Sequence, residues 1–429
     1  MTSPNVRPLR SVPAAVPLSE LGNVGQTSMW QMLAEEPTPE LQWPQSVAVY
    51  DRMYRQDGQA LSVYDAITLP VRRAKWRLNG NGCSDELVQQ LSEDLSIPIK
   101  GTDDVPTRVR SRDRFSWAQH LEWACLQLVY GHMPFEQVAR LDDRGRVRLR
   151  KLAPRWPKTL SGFDVAEDGG LIAIEQQAPL GRIDRRGAST VKIPVERLVM
   201  YTHRRQGGTW TGQSIFRPMY KHWLLKDQAL MGWTNTLDRN GMGVPVYEGG
   251  PLETDLSSGE RMAVNARAGR YAGGAIPNGA KFGFEGVTGQ LPDHERNIRY
   301  HDESMARSAL LHFLNLGQAA GTGSWALGTT FADFFIMADD AFAQSIADVA
   351  TQHIVEDLVD WNAGIDERAP IIEVETIGKG GAVLANAVKA LIDSGAIRND
   401  PTLEAYLRDL LGLPLKAPRQ ETEPTTEDR

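Results

Sequence analysis

A chain of 429 residues, 41% hydrophobic and 24% charged, is long enough for two or three domains and a sizeable core. No run of about 18 apolar residues occurs, so no membrane span is expected, and two cysteines, Cys83 and Cys125, are too few for a disulfide framework and form no C-x-x-C pair. A net charge of −7 argues against a general nucleic-acid binder that neutralises phosphates, though not against a protein that lets DNA pass without holding it.

Residues 1–27 carry several prolines and few large apolar side chains, which predicts a disordered arm, and the two arginines there precede no apolar stretch of a signal peptide. Residues 28–210 read as an α+β domain with helices first and small sheets after. A helix ending at Asp57-Gly58 is followed by a second over 60–69, in which Val63, Ile67 and Val71 share a face, and then by a short strand, Lys75-Trp-Arg-Leu. Phe115 to Gly131 predicts one helix with Leu121, Ala124, Cys125, Leu128 and Val129 on its buried stripe and Gly131 as its stop, which makes Cys125 a packed core thiol. Phe135 to Leu141 and Val147 to Leu152, joined by Asp142-Asp-Arg-Gly, form a hairpin. Alternating runs at 170–176 and 191–193 and the segment from Leu198 close the domain.

The stretch from Gly212 to Pro245, GQSIFRPMYKHWLLKDQALMGWTNTLDRNGMGVP, organises the rest. Trp223, Leu230 and Leu237 recur every seven residues beside Tyr220, Leu224 and Trp233, so one stripe of a long helix is apolar. Ser214 is the expected cap, Pro218 lies in the first turn, and Asn240-Gly241 stops a helix of roughly 27 residues, about 40 Å long. Residues 244–290 are broken by many glycines into strand-sized pieces at 270–272 and 281–285 and a short helix at 258–268, a small α/β insert. A second long helix follows from Asp293 to about Leu316, with Ile298, Met305, Ala309 and His312 facing one way.

Gly317 to Gly328 is a glycine-rich loop. It lacks the lysine of a phosphate-binding loop, since none occurs between Lys281 and Lys379, and a helix rather than a strand precedes it. Phe331 to Trp361 predicts the longest helix, with a buried stripe of Phe331, Phe334, Phe335, Ala338, Phe342, Ile346, Val349, Ile354, Leu358 and Trp361. Asp340, Gln344, Asp348, Gln352, Glu356 and Asp360 fall four apart along another face, the spacing of a solvated face rather than of an acid–base pair. Pro370 to Thr376 is a strand, 382–394 and 401–411 are two short helices, and 413–429 is a polar tail expected to be disordered. No zinc-ligand spacing, nucleophile elbow or kinase motif is present. The local acidic cluster of Asp293, Glu295, Asp302 and Glu303 leaves a metal-dependent nuclease as an alternative, with divalent-ion-dependent DNA cleavage its mark.

The segment Ser214-Ile-Phe-Arg-Pro-Met-Tyr, the Trp-Leu-Leu-Lys helix and Arg239-Asn-Gly-Met-Gly-Val-Pro resemble the stem-entry segment of bacteriophage portal proteins, and Met53-Tyr-Arg-Gln-Asp with Ile67 to Leu78 resembles the start of their wing. The resemblance spans roughly residues 41–376 and implies a multi-domain α+β fold. Its parts would be a wing (28–210), a first stem helix (211–243), a clip (244–290), a second stem helix (291–316), a tunnel loop (317–328), a long helix with a return strand of the wing (329–376) and a small crown (377–412). It implies stem packing through Trp223, Leu230, Leu237, Ile298 and Met305, and a loop with Gln318, Thr322, Ser324 and Trp325 at a channel. The implied assembly is a ring of about twelve copies at one capsid vertex of the virion, built in the host cytoplasm, through which double-stranded DNA passes. Its partners would be the terminase large subunit, a head–tail adaptor, and the major capsid and scaffolding proteins. Neither cofactor, metal nor catalysis is implied. A different minor head protein is the remaining reading, against which the stem–clip–stem order speaks.

Overall fold

The computed structural model describes residues 36–102, 115–178, 190–266, 274–285, 293–309 and 324–377. The expected arm at 1–27, the loop residues Gln318 and Thr322, His312 and the end of the second stem helix, the strand at 270–272, and nearly all of the crown and tail lie outside them. Residues up to Glu375 make one compact unit, and 376–429 belong to a second.

After a 3-10 turn at Pro39–Leu41 come two helices, α1 (Gln45–Gln56) and α2 (Gly58–Arg73). Val47, Tyr50 and Met53 of α1 and Ala60, Val63, Tyr64 and Val71 of α2 are buried, the spacing of two amphipathic faces. Asp57 sits between them as the cap of α2, its carboxylate accepting the Ala60 N–H at 2.9 Å. The strand β1 (Trp76–Asn79) follows, and then α3 (Asp85–Leu95), an element absent from the sequence reading. Its signal was there: acidic residues in the first turn and Val88, Leu91 and Leu95 at helical spacing, all buried.

The single helix expected over 115–131 is two, α4 (Trp117–Ala124) and a one-turn α5 (Gln127–Tyr130), with Gly131 at φ +87° as the stop. All five residues of its predicted stripe are buried, and burial pushes the Cys125 thiol up to about 12, so it is an inert core group. Strands β2 (His132–Leu141) and β3 (Val147–Pro154) make the expected hairpin, with Asp142 accepting the N–H groups of Arg144 and Arg146 across the turn. Then come β4 (Leu160–Val165), β5 (Leu171–Gln177), β6 (Thr190–Pro194) and β7 (Leu198–Thr202). They do not form one sheet. β7 leaves β6 to pair with β2, giving one sheet in the order β3-β2-β7 and a second in the order β4-β5-β6. Leu160, Leu171, Ile174, Ile193, Leu198 and Met200 close a core between them.

The second half is α6 (Tyr220–Met242), β8 (Val244–Glu248), α7 (Ser257–Val264), β9 (Lys281–Glu285), α8 (His294–Ser308), α9 (Ser324–Ala350), a π-helical turn (Thr351–Val355), α10 (Glu356–Ala363) and β10 (Ile371–Val374). β10 returns to pair antiparallel with β1, Trp76 opposite Val374 and Leu78 opposite Ile372. The expected return strand therefore joins the early strand β1 to the end of the same compact unit. The π turn was not expected, and its reason lies in the sequence. The buried residues of this long helix step by four, as Ile346/Ala347, Ala350/Thr351, Ile354/Val355 and Leu358/Val359. An α-helix drifts about 40° over each such step, and one wider turn removes the drift so that both ends keep facing the core. The Gln137 amide of β2 donates to the His353 carbonyl within that turn and, at 2.6 Å, to the Asp357 carboxylate.

Candidate functional site

The organising stretch begins in a knot of backbone. The Ile215 N–H donates to the Leu128 carbonyl at 2.9 Å, the Gln213 N–H to His203 at 2.8 Å, and the His203 N–H to Gly131 at 2.8 Å. The ring N–H groups of His132 and His203 donate to the Thr211 and Gln213 carbonyls at 2.8 and 2.7 Å. Burial pushes His132 down to about 4 and lowers His203, so both stay neutral and fixed in tautomer. The chain passes so close that a Cβ on Gly212 would lie 2.2 Å from the Gly131 carbonyl oxygen. This is the physical content of the Gly-Gln-Ser motif. Ser214 is not a helix cap: its hydroxyl accepts the Phe216 N–H and faces the Leu128 carbonyl. The helix starts six residues later, at Tyr220, with Pro218 in the turns before it, because Ile215 is still tied to α5.

From this anchor α6 runs out against α8, and the two form a hairpin. At its root Lys226 reaches the carboxylates of Asp57 and Asp302, the latter at 2.9 Å. Beside it the His222 and His301 Nδ1 atoms face each other at 3.1 Å, so one ring donates to the other. No sequence motif pairs these histidines, since they come from different helices. Further out His294 meets the Thr236 hydroxyl at 3.1 Å. The insert at the tip is the β8–β9 ribbon with α7 packed on it. Gly259 of α7 rests directly on the Tyr247 ring, where a Cβ would overlap it at 1.9 Å, and the Tyr247 phenol donates to Glu253. Val244, Leu252, Leu256, Val264 and Phe284 of this small module are exposed.

The predicted stem stripe divides. Trp223 is 8% exposed, with the Arg52 guanidinium 4.8 Å from its ring, and Met305 is fully buried, so both pack inside the subunit. Leu230 and Leu237 are 42% and 61% exposed, and Ile298 is half-buried. The division follows from position: the root of the hairpin lies on α1 and α2, and the outer turns extend past them.

The glycine-rich loop is shorter than expected. Ser324 and Trp325 lie in the first turns of α9, since Trp, Ala and Leu are competent helix formers and the single Gly328 costs only about 1 kcal/mol there. Along α9 the inner face differs from the predicted stripe. Phe335, Ala343 and Ile346 are buried, but Phe334 and Ala338 face outward with Met337 beside them, as does Trp361 of α10; the side chain of Phe331 lies outside the described residues. The residues four apart from Gln344 to Asp360 do face solvent.

The four clustered carboxylates are all engaged. Asp293 caps α8 by accepting the Arg296 N–H, Glu295 and Glu303 pair with Arg299 and Arg307, and Asp302 pairs with Lys226. No group of three metal-ligating side chains occurs among the described residues, and no described helix is long and apolar enough to cross a membrane.

One compact unit of helices and small sheets, with a helical hairpin carrying a small α/β insert, is thus the arrangement to be matched. The family model described as the portal protein of Mu bacteriophage matches residues 47–413. The chain belongs to this portal protein family. The family is a structural one. Among solved structures, a chain of the neck of an empty gene transfer agent particle computed with C6 symmetry gives a TM-score of 0.56 at 13% identity, over 87% of this chain and 95% of its own. Chains of a native gene transfer agent virion and of a native neck computed with C12 symmetry each give 0.55 at 12% identity with the same coverage. At these identities the likeness is one of fold, mixed helix and sheet over nearly the whole portal-family chain.

Proposed function

We propose that this portal-family chain assembles into a ring of about twelve copies at one vertex of a phage capsid, and that double-stranded DNA passes through the ring. The observation that carries the reading is the pair of unlike apolar faces left open on one subunit, Leu230, Met231 and Leu237 on α6 and Phe334 and Met337 on α9. Two different patches suit a head-to-tail contact, which closes into a ring when repeated around an axis. The C12 symmetry of the similar neck supports the same arrangement. Leu230→Asp with Leu237→Asp should leave small species on size exclusion and no rings by negative-stain microscopy. Intact rings from this variant would place the contact elsewhere. Trp223 is unsuitable for the test because it is internal.

In this reading the module at 244–290 receives the terminase large subunit during packaging and later the head–tail adaptor, its exposed Leu252 and Phe284 giving apolar anchors. The major capsid and scaffolding proteins meet the outside of the ring. The work of ATP hydrolysis belongs to the motor, and this chain needs no cofactor. Gln318 and Thr322 of the loop, with Ser324 and Trp325 in the first turns of α9, approach DNA with uncharged groups that touch phosphates without the affinity of counterion release. Thr322→Lys with Ser324→Lys should preserve rings and slow packaging, more so at low salt. Packaging velocity and DNA content equal to wild type at every salt concentration would remove the loop from the channel wall.

A further inference from the structure

The inner face of α9 that buries Phe335, Ala343 and Ile346 also buries a carboxylic acid. Asp339 is 2% exposed, and its Oδ2 has no hydrogen-bond partner. Among the described residues nothing offers it a compensating charge. On its own helix the neighbouring Asp340 has the same sign. Packed on α9 are α2, whose buried residues are Ala60, Val63, Tyr64, Thr68 and Val71, β7, which turns Leu198 and Met200 into the core between the sheets and buries Val199 and Tyr201 on its other side, and β10 with Ile372. Tyr64 and Tyr201 are the titratable groups there, and burial holds both phenols neutral. His203 follows β7 with its ring 6.4 Å from Phe342, and burial lowers its affinity for a proton. An isolated ionised carboxylate in such a place costs several kcal/mol, and the group escapes that cost by holding a proton. Burial first, and then Asp340, push the Asp339 carboxyl up to about 8.

We propose that Asp339 is a proton-operated latch on the long helix: protonated, it lets the inner face of α9 seat on α2 and β7, and ionised, it drives this half of the helix off them. The lower half is not affected, since the π turn and α10 are clamped separately by Gln137 and by Asn362, whose amide holds the backbone of Val147 from both sides at 2.9 Å. The latch is argued from contacts within one subunit, and because Phe334 and Met337 of the same half belong to the proposed ring contact, the exchange is read on the Leu230→Asp, Leu237→Asp subunit.

The sign of the linkage follows. The seated helix binds the proton more tightly than the open one, so opening releases it. The opening equilibrium then rises roughly tenfold per pH unit between the ordinary carboxyl value and about 8. Hydrogen exchange on the full chain with those two substitutions reads this directly. Protection factors of the amides over 334–346, corrected for intrinsic exchange, should fall about tenfold per unit from pH 5 to 8, while those of α1 stay level. Asp339→Asn should flatten the profile and raise the melting temperature at pH 8 but not at pH 4. Asp339→Leu, which removes the polar group outright, should do the same, so poor packing of one amide does not decide the result. Level protection over 334–346 in the subunit that keeps Asp339, or an unchanged slope in both variants, overturns the proposal.

Discussion

Gly212→Ala is expected to abolish the packing of α5, β7 and the entry to α6 and with it the fold built on them. The Gly212 backbone lies at φ +61°, and an added Cβ would meet the Gly131 oxygen at 2.2 Å, the His203 oxygen at 2.7 Å and the Thr202 methyl at 2.9 Å. Two of these three are backbone, so no side-chain rotation relieves them. The loop from 203 to 213 would have to move, and with it the bonds from Gln213, His203 and Ile215 that hold α5, β7 and the entry to α6 together. Loss beyond about 4–5 kcal/mol is the expected scale, a large part of a typical total stability. Gly145→Ala is the matched control. Its φ is +78°, but nothing lies within 4 Å, so it carries only the left-handed strain of about 1–2 kcal/mol. Soluble yield and the midpoint of thermal unfolding should separate the two. Equal losses would mean that the knot yields and that strain alone sets the cost.

The motif around Gly212 stands out in the sequence because it is a string of small and polar residues before a long apolar stripe, but its partner, Gly131, is 81 positions away. Patterns carried within one element were legible. The stripe of Leu121 to Val129 and the β2–β3 turn appear where local spacing puts them, and the first long helix follows its apolar stripe, though it starts at Tyr220 rather than at Ser214. Relations between elements were not. β7 was read as the end of a run of strands, and only the fold shows that it crosses to β2. The His222–His301 pair and the clamp of Gln137 on the π turn have no local signature either. For Phe334, Ala338 and Trp361, all read as buried, a plain helical period misled. The core side of this helix steps by four, and that rhythm, visible in Ile346, Ala350, Ile354 and Leu358, was the available sign of a wider turn. Among the stem residues, sequence marked the stripe but not its division, since whether Trp223 or Leu237 is covered depends on how far α1 and α2 extend along it.

Lys226→Met should separate the hairpin from the body it grows out of. The ammonium lies between Asp57, which begins α2, and Asp302 of α8, so one side chain joins three helices. Its own burial lowers its affinity for a proton, but the bonds and charges of the two aspartates outweigh that and hold the ammonium above the usual lysine range. A raised lysine value means that the stabilisation is full below the unfolded lysine value of about 10.4 and fades only as pH rises past it. The native arrangement is therefore intact at neutral pH. Removing the ammonium leaves the Asp57 side chain 6% exposed, with only its cap bond to Ala60, and breaking a buried pair from one side costs about 3–5 kcal/mol. Asp302 is more open, and water recovers most of its loss. The decisive variant is the double one. Lys226→Met with Asp57→Asn keeps an effective helix cap while removing the stranded charge, so it should regain much of what Lys226→Met loses. If Lys226→Met shifts unfolding by less than the equivalent of about 1 kcal/mol, the triad is a surface ornament. If the double variant is as unstable as the sum of the singles, the ammonium acts through packing of its stem against α8 and not through Asp57.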